Sequence, residues 1–511
     1  MLAFTKFFEV KQNLTSQDLQ QGYRALVYDG LASQAMLLLT GGTFLVAASL
    51  YLGASNLQIG LLAAIPPLLQ LVQLPSIYLV EKYRQRKRIV IYTVFFSRLM
   101  LILLAWLPFL MFKGSGIYVV LFFITVSAGF NAIATCSWNS WMKDVIPAAE
   151  MGMVFSRRLI YQQWLTIALV LAGGFFVDWW GMVFPTFPWV SYAILFSIGF
   201  ISGMIGILFI IQIPETEMEE PDPEAKFWKV IVQPFQDENF RNLIYFLSWW
   251  SFAINLAAPF FTVYLFKNLQ LNLTQVNFLF IISQVSNLFL LKFWGKMCDL
   301  YSNKTVMSAC GITFVFCLLA WTFTTLPEKH VLTWPLLILI HIVMGGSIAG
   351  VMLASGNIGL KLAPKGEAVA YLASLNFVVS IAAGIAPILG GQFVDYFEGC
   401  ELSWIFQWIS PNKKVTLPTF DLQHWDFFFV FAFLLGLYSL HRLALVKETG
   451  EVEENVVMTE LLAEMRGKVR NLSTVGGVRY MMFIPFWVIR QIREKRQRGR
   501  ESEAHWSKNE D

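Results

Sequence analysis

The sequence predicts an all-α polytopic membrane protein with twelve transmembrane helices in two pseudo-symmetric six-helix bundles. Three observations predict it. The 511 residues are 56% hydrophobic and 14% charged, whereas a soluble chain is nearer a quarter charged. Roughly twelve apolar runs reach about 20 residues, enough to cross a bilayer as helices. One stretch occurs twice: Gly173–Trp180 reads GGFFVDWW and Gly390–Phe397 reads GGQFVDYF, 217 positions apart. Pro147 and Pro364 repeat the same spacing, and Glu81 and Asp299 miss it by one residue. Landmarks at one offset mark tandem halves.

The first six runs lie near 31–53, 57–80, 89–112, 117–138, 159–180 and 190–213. The other six lie near 242–266, 274–297, 305–325, 333–356, 367–394 and 425–446. The chain then divides into an N-terminal segment (1–30), a first bundle (31–213), a linker rich in Pro and acids (214–240), a second bundle (241–447) and a tail (448–511). Lys82, Arg84, Arg86, Lys87 and Arg88 crowd the second-to-third connection, and Lys143, Arg157 and Arg158 the fourth-to-fifth. The alternate connections are nearly free of Lys and Arg, which puts both termini in the cytoplasm. The connection of about 398–425 is the long external one, and its WIFQW suits an interfacial anchor. In the tail, 478–492 is too short to span. With the basic run 493–500 it suits either the membrane surface or packing on the bundle.

The net charge of +4 is spread over segment ends and implies no nucleic-acid partner. Five cysteines without a CxxC pair argue against a disulfide framework or a zinc site. The polar, mixed N-terminus lacks the pattern of a signal peptide. No HExxH, GxSxG or intramembrane acid pair speaks for an enzyme.

Two six-segment halves, cytoplasmic termini and a basic second-to-third loop together resemble the major facilitator superfamily of secondary transporters. Its loop signature is carried by Gly295, Asp299 and Lys304 in the second half. The first half departs from it, with Glu81 as the acid and Ile77 where the opening glycine would fall. Trp141, Asp144, Pro147, Gly152 and Arg158 look like the fourth-to-fifth loop of the family. The resemblance spans roughly residues 25–447 and speaks to fold more than to substrate. The antiporter run Gly-Pro-x-x-Gly-Gly is absent from the fifth segment, so drug–proton export lacks its motif.

The resemblance implies a cytoplasmic gate, for which Glu81, Asp144, Arg158, Gly295, Asp299 and Lys304 are the candidates; solvated loop charges are the plainer reading of the arginine-rich turn, while Asp299, between Gly295 and Lys304, is read as a gate residue. Asp178 and Asp395, ending the repeated stretch, are an external gate or simply interfacial carboxylates. It also implies that segments 1, 2, 4, 5, 7, 8, 10 and 11 line a central cavity. The candidates there are Gln34, Asn131, Gln162, Gln163, Asn255, Gln284, Asn287, His341 and Asn376, with Gln70, Gln73 and Asn357 also on those segments. Amides in a bilayer face protein or water, as ligand contacts or as helix glue. No carboxylate is expected deep in any segment, which weakens simple proton coupling.

The expected function is secondary transport of a neutral or amphipathic organic solute by alternating access. The chain is then a monomeric multi-pass protein of the cell membrane, with no cofactor and with H+ or Na+ as the coupling ion. A transporter-like scaffold or assembly factor, and a drug or lipid exporter, are the alternatives.

Overall fold

The computed structural model describes residues 10–11, 14–110, 115–218, 232–325, 329–364, 368–410, 413–448 and 459. Among these residues, twelve helices are long and apolar enough to span a bilayer. They are α1 (Ser16–Tyr51), α2 (Asn56–Tyr83), α3 (Arg86–Leu110), α4 (Gly116–Val145), α5 (Glu150–Val183) and α6 (Trp189–Ile210), then α7 (Glu238–Lys267), α8 (Leu273–Leu300), α9 (Asn303–Thr324), α10 (Thr333–Leu362), α11 (Tyr371–Tyr396) and α12 (Trp425–Ala444). Helices suit this composition because each satisfies its own backbone where no water can. An even number of spans puts both ends of the bundle on one face, here termed the terminal face.

Breaks in these helices follow from residue type. Gly42 takes φ 52°, a left-handed conformation open to glycine, and α1 bends there. Pro66 and Pro67 remove two donors from α2, and the chain tightens into a 3-10 turn at Gln70–Val72 before continuing. Each half packs its first helix on its last, α1 on α6 and α7 on α12, while α2 lies along α11 and α5 along α8 to join the halves. The second half holds the denser core, with Phe240, Phe246, Phe260, Tyr264, Phe314, Trp321, Phe428 and Phe429 fully buried.

Three expectations need correction. First, α1 begins at Ser16, not near residue 31, so much of the supposed N-terminal segment belongs to the first long helix. Thr15 sets that start, accepting from the Asp18 amide in a capping box. Second, Asp29 therefore lies inside a span, 3% exposed, against the expectation of no carboxylate there. Third, Arg157 and Arg158 sit in α5, not in a loop. The connection before α12 also holds more order than expected: β3 (Glu401–Ser410) and β4 (Lys413–Gln423) pair antiparallel from Glu401↔Gln423 to Ser410↔Lys413. The tail segment 478–492 and most of the linker lie outside the described residues.

Candidate functional site

The repeated GGxFVD stretch folds into two matching clasps on the face opposite the termini. Asp178 of α5 accepts the backbone amides of Leu273 (3.2 Å) and Thr274 (2.8 Å) at the start of α8. Asp395 of α11 accepts the Asn56 side-chain amide (2.8 Å) and the Leu57 backbone amide (3.0 Å) at the start of α2. Donors and acceptors are both related by the same 217-residue offset. So are the caps beneath them: Ser55 with Gln58, and Asn272 with Gln275, each close a capping box. The first amides of a helix have no partner within it and carry the positive end of its dipole, so a carboxylate from the other half is held twice over.

The glycines bring the backbones close enough for this. A Cβ on Gly391 would meet the Asn56 carbonyl oxygen at 2.6 Å, and one on Gly174 would meet the Asn277 amide nitrogen at 2.7 Å. Asn277 extends the contact, donating to the Val170 carbonyl (2.9 Å) and accepting from Thr43 (2.7 Å). Lys267 adds a donor to Asn56 at 3.3 Å. Among the described residues, the hydrogen bonds that join the halves lie at this far face.

At the terminal face each half is tied internally. Arg86, with 0% exposure, pairs with Asp144 and donates to the carbonyls of Ser140 (3.1 Å) and Thr216 (2.9 Å). Glu215, in β2 (Glu215–Thr216) beside β1 (Val10–Lys11), accepts the Lys87 amide (3.0 Å) that opens α3. Glu448 does the same for α9. It accepts from the Lys304 amide (2.8 Å) and the Asn303 side chain (2.9 Å), and it pairs with Lys361 at 2.7 Å. Burial raises the Glu215 carboxyl above its ordinary pKa. Burial also acts to raise Glu448, but Lys361, the Lys304 amide and Asn303 outweigh it and hold that carboxyl below its ordinary value. Neither Glu215 nor Glu448 was among the sequence candidates. The available signal was a Glu-Thr pair closing both the sixth and the twelfth segments.

The other gate candidates are scattered. Glu81 and Asp299 are exposed in the last turns of α2 and α8. Asp144 faces Arg86 within its own half. Gly295 faces Leu353 of α10, 3.7 Å from where a Cβ would stand. The Lys304 ammonium lies 3.4 Å from the Ala444 carbonyl. Arg158 turns inward to Asp29 (3.4 Å), which also faces Arg98 (3.6 Å) and accepts from Ser33 (3.1 Å). Arg98 further donates to Ser33 and to the Gly203 carbonyl. One carboxylate and two guanidiniums thus tie α1, α3, α5 and α6 together.

The cavity candidates separate into two sets. Gln34 donates to Thr166 (3.0 Å) and Gln162 to the Gly30 carbonyl (2.8 Å), both tying α1 to α5. Asn255 turns back on Ser251, and His341 Nδ1 lies 2.7 Å from the Leu337 carbonyl with its ring 5.6 Å from Trp321. Gln70 and Gln73 bond each other. Asn131, Gln163, Gln284, Asn287 and Asn376 stand apart: they are partly or fully exposed on α4, α5, α8 and α11, and their side-chain amides have no hydrogen-bond partner among the described residues.

Comparison with known proteins bears on fold. The family model of the Major Facilitator Superfamily matches residues 242–457. Among solved structures, a point mutant of the nucleoside transporter NupG superposes with TM-score 0.64 at 12% identity, over 84% of this chain and 100% of its own. A D-xylose–proton symporter superposes at 0.59 with 12% identity, over 85% and 98%. A bacterial homologue of the iron transporter ferroportin, in an inward-facing state, superposes at 0.57 with 11% identity, over 85% and 100%. Among curated proteins the sequence finds no significant match.

Proposed function

We propose that the chain is a twelve-helix transporter of the Major Facilitator Superfamily, a secondary active carrier working by alternating access; the family match over residues 242–457 and the fold shared with solved transporters support this. The paired clasp carries this reading. Among the described residues, Asp178 and Asp395 fasten the halves by hydrogen bonds at one face, contacts that a rocking motion can break without unfolding either bundle. With the termini in the cytoplasm, as the basic loops indicate, the clasped face is the external one.

The reverse step parts the two carboxylates from the helix starts and brings the cytoplasmic ends together. Glu81 and Asp299, exposed at the ends of α2 and α8, are then the acids placed to approach the starts of α11 and α5. The solute is a neutral or amphipathic organic molecule. Asn131, Gln163, Gln284, Asn287 and Asn376 offer it hydrogen bonds, and Gln284 and Asn287, three residues apart, share a helix face. Gln34, Gln162, Asn255 and His341, whose hydrogen bonds run to the protein itself, shape the walls instead.

The test is thermal stability of the detergent-purified protein against a solute library, at two pH values and with and without sodium. A solute that binds the folded state raises the melting temperature by mass action. A hit lost on changing Gln284 and Asn287 together supports the reading, and its dependence on pH or sodium names the coupling ion. A hit unaffected by that double change removes these two amides from the site.

A further inference from the structure

A second cleft lies outside the space between the halves. It runs between α1 and α5 near the terminal face, with a volume of about 530 Å3, and Arg24 and Arg157 stand in its wall with Tyr23, Tyr28 and Tyr161. Both arginines are exposed, and among the described residues neither makes a hydrogen bond or an ion pair. Arg86, Arg98 and Arg158 of the same half each face a carboxylate. The lining carries these two cations and no acid, and Glu150 lies near the Tyr23 hydroxyl.

The cleft faces away from the interior of the bundle. Arg158 and Asp29 point into the bundle. Arg157, one residue before Arg158, is turned about 100° round α5, and Arg24, five residues before Asp29, about 140° round α1. Tyr28 continues the Arg24 stripe and packs on Phe209 of α6 at 5.3 Å, beside the 61% exposed Leu208. Along α5 the stripe passes from Arg157 to Tyr161 and the 69% exposed Trp164. Arg24 lies about 12 Å from the start of α1 and Arg157 about 10 Å from that of α5, at 1.5 Å per residue. Cations near the helix starts with aromatic surface beyond them match the order of headgroup and acyl chain in a phospholipid.

We infer that this cleft binds an anionic phospholipid, its phosphodiester held by Arg24 and Arg157 and its chains laid along Tyr28 and Tyr161. The arginines supply charge-assisted hydrogen bonds at headgroup depth, where the phosphate is only partly hydrated. The site is independent of solute transport, since it uses none of the cavity amides.

The test compares melting temperatures of the full chain in detergent with added phosphatidylglycerol, phosphatidylcholine or inorganic phosphate. Phosphatidylglycerol raises the wild-type value by a few degrees over phosphatidylcholine, and phosphate alone does not. The Arg24→Gln/Arg157→Gln chain melts as wild type does in phosphatidylcholine and loses the increment. The basic run 493–500 is common to both chains, so its own lipid attraction cancels. Equal stabilisation by both lipids, an equal effect of phosphate, or an increment retained by the double variant overturns the inference.

Discussion

Asp178→Asn together with Asp395→Asn unfastens the outer face. Each aspartate accepts two hydrogen bonds from the start of a helix in the opposite half. Asparagine keeps the shape and one acceptor but loses the charge. A charge at a helix start is worth about 0.3–1 kcal/mol, and up to about 2 when partly buried. A hydrogen bond to a charged group is worth about 1.5–3 kcal/mol. With one acceptor retained, the expected loss is roughly 1–2 kcal/mol per clasp from these ranges. The clasps share no partner, so the losses add to about 2–4 kcal/mol. That moves the balance between the two conformations by roughly 30- to 1,000-fold toward the outward-open one. The assay is electron–electron distance measurement between spin labels at Phe187 and Asn268, in a chain freed of its five cysteines, of which Cys400 is exposed. Wild type gives one short separation. The double variant adds a longer population, and each single variant an intermediate amount. A double variant with the wild-type distribution would refute the reasoning, because the clasps would then contribute nothing to closure.

Other consequences follow from the buried charges. Asp144→Asn takes the paired carboxylate from buried Arg86, which keeps its carbonyl and hydroxyl partners and the nearby Glu215 charge; because Asp144 itself is 34% exposed, the expected loss is about 1–3 kcal/mol; a melting temperature within a degree of wild type in detergent contradicts it. Asp29→Asn strands two guanidiniums inside the bundle, so the yield of folded protein falls more than it does for Asp299→Asn at the exposed end of α8; size-exclusion profiles compare the two. Glu448 is held below its ordinary pKa. Its contribution is therefore complete above the unfolded value of about 4.3 and is lost as pH falls through the lower folded value. Glu448→Gln melts well below wild type at pH 7, and the gap narrows as acid is added; a gap that is constant or widens in acid rejects the assignment.

The fold was legible because hydrophobic length is a strong signal, and the halves because the chain repeats Gly-Gly-x-Phe-Val-Asp at one spacing. The same repeat located the clasp residues but not their partners. Nothing in the text of the chain says that Asp178 meets the start of α8 and not that of another helix. Asp29 was missed for a physical reason. Polar residues from Gln17 to Arg24 lower the local hydropathy, so the apolar run appears to begin at residue 31, although a capped helix already spans the region from Ser16. Asn131 and Gln34 look alike in sequence, and only packing separates the amide that bonds Thr166 from the one left open. Glu448 escaped because a single acid after a span resembles a solvated charge until Asn303, Lys304 and Lys361 converge on it.

The central claim is that the midplane opens to one side at a time, and a single cysteine in place of Gln284 tests it without knowledge of the solute. A membrane-impermeant maleimide is applied to right-side-out and to inverted vesicles. In a chain freed of its five native cysteines, the account predicts labelling from the cytoplasmic side, and labelling from the outside once Asp178→Asn and Asp395→Asn are added. Labelling from the cytoplasmic side alone in both chains would contradict it, for the bundle would then be a fixed vestibule and not a carrier.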